Sequence, residues 1–333
     1  MQTERKIWLA VLGFVFFWST PVSAQEEQWY KGNTHTHTNY SDGNEYPRRV
    51  VRWYLDHNYN FLVLTDHNKL TATRYLDSDP NDDFILIPGE EVTNSFQKTP
   101  AHVCGLGMKS ETRPQEKGSL VETLQSHIDG IRQAGGIAQI NHPNWKWAFD
   151  HRTLGALQNY RLFEVYNAGA DCNNFGAGGR PGMEEIWDRV LSGGLSIFGV
   201  ASDDTHEYLA EFLPMQPGPG RGWVMVRARE LSAAAIVAAM DRGDFYASTG
   251  VVLKDVRITP QEYALAIEPL GDTAYTTQFI GAEGKVLKQD FSLTPSYRLQ
   301  GTERYVRARV ESSNRELAWT QPVFPGGSRA SSR

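Results

Sequence analysis

Six of the nine histidines stand at or just past one end of a short apolar run. His35 and His37 occupy Asn33-Thr34-His35-Thr36-His37-Thr38. On an extended chain, residues two apart face the same side, so both imidazoles can reach one ion. Ser41-Asp42-Gly43 follows, a turn able to carry the Asp42 carboxylate back over the same spot. The run 61–64 leads into Asp66-His67, and 85–88 leads into Gly89-Glu90-Glu91. His102 opens the next run, 137–140 ends in Asn141-His142-Pro143, and 196–201 ends in Asp203-Asp204-Thr205-His206. All these donors are nitrogen or oxygen. That favours Zn, Mn or Fe over copper(I) or iron–sulfur chemistry, and gives too many imidazoles for a calcium or magnesium cage. The set exceeds the three protein ligands of one catalytic zinc. Two or three divalent ions sharing carboxylates is the natural count. Such a cluster suits hydrolysis, with a bridging hydroxide as nucleophile and metal charge on the oxygens of an in-line displacement.

These residues need a scaffold that gathers strand ends. From residue 31 to about 250, short apolar runs (61–65, 84–88, 101–106, 137–141, 162–166, 195–201, 223–226) alternate with helical patterns at 47–58, 119–134, 183–192 and 232–241. Pro47 suits a first helical turn. Ser119 with Glu122 reads as a capping box, and Leu120, Leu124, Ile128 and Ile131 then share a face. Ser232 suits the cap of the last helix. Repeated strand–helix units predict a mostly parallel α/β sheet, and about seven of them a closed or distorted barrel. In such barrels the C-terminal strand ends converge on one mouth. After 250 the runs 251–259, 263–267, 275–280, 285–289, 305–310 and 317–319 predict a small antiparallel β domain over 251–325. Residues 326–333 form a small, polar tail expected to fray.

The ordered set of His35-Thr36-His37, Ser41-Asp42-Gly43, Thr65-Asp66-His67, Gly89-Glu90-Glu91, His102, His142-Pro143 and Asp204-Thr205-His206 resembles the polymerase and histidinol phosphatase (PHP) superfamily. The resemblance implies a distorted (β/α)7 barrel with a trinuclear site. It would place His35, His37, Glu91 and Asp204 on one ion. Glu91 would bridge to a second ion with His102 and His142, and Asp42, His67 and His206 would hold the third. The Asp-x-His and Gly-x-Glu spacings select Asp204 over Asp203 and Glu91 over Glu90. The export signal, the added β domain and the ending Ala318-Trp319-Thr320-Gln321-Pro322-Val323-Phe324 resemble the exported, carbaryl-hydrolase-type branch. The activity so implied is a metal-dependent phosphoesterase acting on a small-molecule ester. A carbamate or carbonyl ester is the alternative on the same metals, and a binding module with a structural metal core is the rival of another class.

Further residues have two readings. Asp66 either orients a ligand from behind or is a surface carboxylate. Arg180, in a Gly-rich loop, either grips a phosphate or is an ordinary exposed arginine; these two are the candidate catalytic side chains. Glu164 interrupts the apolar run 162–166 and needs a partner, in the site or in a salt bridge. Trp145, Trp147 and Tyr166 wall a pocket or fill the core. His57, His127 and His151 read as structural or solvent-facing, with His151 in a loop at the pocket rim. Residues 176–182 lack the Lys-Ser/Thr ending of a phosphate loop. No nucleophilic Ser or Cys motif is seen.

Composition sets the outer limits. Of 333 residues, 40% are hydrophobic and 22% charged, which excludes disorder as the main state. The net charge of −6 argues against a broad nucleic-acid surface. Two cysteines exclude a disulfide scaffold; export permits a single bridge between Cys104 and Cys172, and two free thiols are the other reading. A mean hydropathy of −0.45 excludes a polytopic membrane protein. Arg5 and Lys6 precede the apolar run 7–18, and Val22-Ser23-Ala24 completes a secretory signal over 1–24. The mature chain is therefore expected to be periplasmic or secreted, with no stable membrane span after cleavage.

Overall fold

The computed structural model describes residues 26–76, 83–208 and 218–325. The expected signal (1–24) and the tail (326–333) lie outside the described residues. The first half runs β1 Gln28–Asn33, α1 Pro47–Asp56, β2 Phe61–Leu64, β3 Ile85–Phe96, β4 Thr99–Leu106, α2 Leu120–Gln133, β5 Ile137–Ile140, α3 His151–Ala156 and β6 Leu162–Asn167. Then come α4 Met183–Ser192, β7 Phe198–Ser202, β8 Trp223–Ala228, α5 Ala233–Arg242 and β9 Phe245–Ser248. The remainder is all strand: β10 Leu253–Ile258, β11 Glu262–Ile267, β12 Tyr275–Ile280, β13 Val286–Asp290, β14 Ser296–Arg298, β15 Arg307–Ser312 and β16 Leu317–Thr320.

The helices begin where side chains or proline make a start cheap. Pro47 opens α1, whose Val50, Val51 and Tyr54 are buried. Ser119 caps α2 by accepting from the Glu122 amide, and Leu124, Ile128 and Ile131 then face the core. Ser232 caps α5, and Gly243, in the left-handed region at φ 82°, ends it. His151, expected in a loop, begins α3, because the Asp150 carboxylate caps that helix through the Arg152 amide. No helix of the described residues is long and apolar enough to cross a membrane.

Thirteen strands form one sheet in the order β13-β12-β15-β16-β9-β8-β1-β2-β3-β4-β5-β6-β7. The expected mostly parallel, closed barrel is thus altered in two ways. First, β3 does not stop at Pro88 but continues into a hairpin with β4, which is antiparallel to both β3 and β5. Gln97 and Lys98 make the turn, both left-handed at φ 48° and 72°. Second, among the described residues no ladder joins β7 to β8, and the sheet order is open. The two sides meet instead at one parallel bridge, Thr36 with Thr205, just beyond β1 and β7. There His37 N donates to Thr205 O at 3.0 Å, and Asp204 N donates to His35 O at 3.0 Å.

The C-terminal strands are antiparallel, but four of them extend the main sheet through the pairing of β16 with β9. β10, β11 and β14 form a separate three-stranded sheet. Tyr246, Leu253, Tyr263, Leu265, Phe279, Val306 and Val310 fill the core they share. Arg307, 1% exposed, fastens this half to α4: its Nε and Nη2 each donate to Asp188 at 2.7 Å, and Nη2 also reaches Glu184 at 3.0 Å.

Candidate metal centre

Most candidate ligands lie at or just beyond strand ends, whereas Glu91 and His102 lie within β3 and β4. Beyond β1, Asn33 Oδ1 accepts from the His35 amide at 2.9 Å, and Thr65 Oγ1 accepts from the Thr36 amide at 3.0 Å. These bonds fix the extended segment that turns both imidazoles to one side. Asp66, fully buried, accepts from the Thr38 amide (2.7 Å) and from the Ser41 (2.9 Å) and Thr71 (2.9 Å) hydroxyls. It anchors the loop that carries Asp42 and is not among the residues lining the cavity. His142 and Asp204 both sit in the left-handed region, at φ 23° and 48°. Backbone held in that region by non-glycine residues is a feature of functional sites.

The nine expected ligands come together. His35 Nε2 and His37 Nε2 are 3.1 Å apart. Asp204 Oδ1 lies 3.2 and 3.1 Å from them, and Glu91 Oε2 lies 3.4 Å from each. Glu91 turns its other oxygen to His102 Nδ1 (3.1 Å) and His142 Nε2 (3.5 Å). Asp42 faces His67 Nε2 at 3.4 Å and His206 Nε2 at 3.3 Å, with His37 Nδ1 at 3.5 Å. The groupings differ from expectation in detail. His37 joins Asp42, His67 and His206; His102 groups with His67 and Glu91; His142 groups with His35 and Glu91.

These spacings fit divalent ions. A tetrahedral ion with bonds of about 2.0–2.2 Å sets its donors about 3.3–3.6 Å apart. Edges of 3.1–3.5 Å run from just below this range into it, and the donor set is imidazole and carboxylate throughout. Glu91 Oε2 is buried without a hydrogen-bond partner, although His67 Nδ1 stands 2.8 Å away. The ion-pair partners of the buried Glu91 and Glu164 and of the partly buried Asp204 are histidines. Burial alone would raise the Glu91 and Asp204 carboxyls. The histidines outweigh it and hold both well below the usual range, so both are anionic. Burial takes His37 down to about 4, whereas Glu91 and Asp42 outweigh burial at His67 and raise it to about 10.

The adjacent pairs separate cleanly. Glu90 points away from Glu91 and accepts from the Thr112 amide at 2.8 Å. Asp203 accepts from the Tyr54 hydroxyl (2.8 Å) and the amides of Gly220, Arg221 and Gly222. Several residues behind the cluster escaped the sequence reading. Asn141 donates to Glu91 Oε1 at 2.8 Å, Asn167 to Asp204 Oδ2 at 3.0 Å, and Thr93 Oγ1 meets His67 Nδ1 at 2.7 Å. Asn141 and Asn167 stand at strand ends, as most of the ligands do, so the same rule applied to amides would have found them. Glu164, left between two readings, accepts from His35 Nδ1 at 2.8 Å.

A cavity of about 290 Å³ opens on the cluster, walled opposite by Trp145, Gly169, Ala170, Asp171 and Cys172. Trp145 Nε1 donates to Asp171 at 2.8 Å, which joins the loops after β5 and β6. Arg180 is not brought here. Its Gly178-Gly179 turn carries it to the surface, over the Trp147 ring at 4.9 Å. Trp147 and Tyr166 likewise do not line the cavity. Both cysteines are free and buried, and burial pushes the Cys104 thiol up to about 11, far from nucleophilic duty.

No family model and no curated protein matches the chain. Among solved structures it is similar to a two-domain protein from Bacteroides vulgatus, described as containing a predicted PHP-like metal-dependent phosphoesterase. The TM-score is 0.49 at 17% identity, over 89% of this chain and 96% of that one. It is also similar to an amidohydrolase from Chromobacterium violaceum with sulfate bound and no metal, at TM-score 0.37 and 16% identity, over 53% of this chain and 87% of that one. Neither reaches a TM-score of 0.5.

Proposed function

We propose that this chain is a metal-dependent hydrolase of the PHP type, acting on a small phosphoric ester. One observation carries the reading: Glu91 presents each of its oxygens to a different group of histidines, with Asp204, His35 and His37 on one side. That is the arrangement of a carboxylate shared between neighbouring ions. Zn, Mn or Fe held there would supply Lewis-acid charge to the ester oxygens and lower the pKa of a water molecule. The chain's part is to present the donors in fixed positions. His35 and His37 offer Nε2 side by side, Glu91 spans two groups, and Asp42 with His67 and His206 forms the outer, more exposed group. The cavity admits a small ester beside Trp145. The motif order from His35 to His206 supports the PHP assignment. The leader at 1–24 supports a place outside the cytoplasm.

The test is turnover of bis-p-nitrophenyl phosphate by the metal-loaded mature chain. The expected result is hydrolysis that falls at least a hundredfold in His37→Ala, with an unchanged far-ultraviolet spectrum. Turnover of p-nitrophenyl carbamates or carboxylates alone would move the substrate to carbonyl esters. Equal turnover in wild type and variant would overturn the assignment of the site.

A further inference from the structure

We propose that Glu164 is a positioning residue that sets three of the candidate ligands at once; this rests on the metal reading above. The carboxylate sits within β6, fully buried, in a strand otherwise made of Leu162, Phe163, Val165 and Tyr166 before Asn167. Its Oε1 accepts from His35 Nδ1 (2.8 Å), Ser202 Oγ (2.5 Å) and Gln139 Nε2 (3.3 Å). Its Oε2 accepts from the His142 amide (2.7 Å) and Asn167 Nδ2 (2.9 Å). Five donors saturate a carboxylate, which offers about four lone-pair directions. A protonated or amide side chain could not accept them all.

Three of these bonds each act on a different ligand. The His35 contact commits Nδ1 to carrying the proton, which leaves Nε2 as the free lone pair among His37, Glu91 and Asp204. The His142 contact holds the left-handed backbone that turns that ring toward Glu91. The third acts through Asn167, whose same amide nitrogen donates to Asp204 Oδ2 at 3.0 Å. Asp204 is thereby left to offer Oδ1. Strand ends of β1, β5 and β7 are thus referred to one side chain on β6. Losing it should disturb more than one ion position, which the loss of a single ligand contact would not.

The probe is Co²⁺, titrated into the metal-stripped full chain and followed by its visible absorption and by calorimetry. Metal-free melting is recorded beside it. Wild type is expected to take up Co²⁺. In Glu164→Gln, affinity should fall by about 10–100-fold with shifted absorption bands, and Glu164→Asp should recover part of both. Should Glu164→Gln fail to fold, Asn167→Ala tests the arm to Asp204 alone, with shifted bands and a smaller loss expected. Wild-type uptake with unchanged affinity and bands in the folded variants would overturn the role of Glu164 and leave the metal reading standing. No uptake by wild type would overturn both.

Discussion

Both ring nitrogens of His127 are buried in α2 without a hydrogen-bond partner. Burial, with a lesser push from His102, holds this imidazole down to about 4. In the unfolded chain a histidine titrates near ~6.5. The folded value is the lower one, so protons favour the unfolded chain. Stability is full above about 6.5 and is lost as pH falls from there, the loss levelling off below the folded value. His127→Leu in metal-free protein should therefore remove about 2 kcal/mol of the stability difference between pH 7.5 and pH 4.5. Urea unfolding at the two pH values measures it, and an unchanged difference would refute this reading of the site. At this scale the sequence was informative wherever residue type and strand alternation acted together. Glu90 and Glu91 are neighbours, and a strand must send them to opposite faces. The sequence could not tell whether Glu164 met a ligand or a cation, because that depends on which strand lies next to β6.

Elements with a local cause were legible. Caps at Ser119 and Ser232 and the opening proline of α1 are written in adjacent residues. The β3–β4 hairpin was not, because Gln97-Lys98 is not a turn signature and Pro88 reads as a strand end. The strand passes through Pro88, which pairs in parallel register with Leu64. A turn with two left-handed residues strains any side chain with a Cβ. Lys98, at φ 72°, is the clearer case. Lys98→Gly should stabilise the chain by about 0.5–1 kcal/mol, seen as a higher urea midpoint. A lower midpoint would mean that the lysine side chain supports the hairpin by contacts of its own. Glu91 pairs with Cys104 in this hairpin and His102 with Thr93, so its register also sets the separation of the two ligands.

Across the whole molecule, the change of texture near residue 250 marks a change from mixed to antiparallel pairing. It does not mark the end of the main sheet. The joint between β9 and β16 pairs residues 246–248 with 318–320, too far apart in sequence for any local signal. Arg307 adds a second joint. It is buried with Asp188 and the Tyr305 hydroxyl (2.8 Å from Asp188), it reaches the partly exposed Glu184, and its guanidinium stacks over Trp187 at 4.9 Å. Removing one partner of such a buried pair strands the other charge. Arg307→Ala should cost about 3–5 kcal/mol and separate the unfolding of the C-terminal strands from that of the rest. Calorimetry would show this as a lowered, broadened transition, and a single unshifted peak would contradict it. The bridge between Thr36 and Thr205 carries a consequence in time. Its two residues stand 169 positions apart. Closing so long a loop comes late in folding. The full cluster needs Asp204 and His206 brought beside His35 and His37 across that loop, so it is completed late in folding rather than starting it.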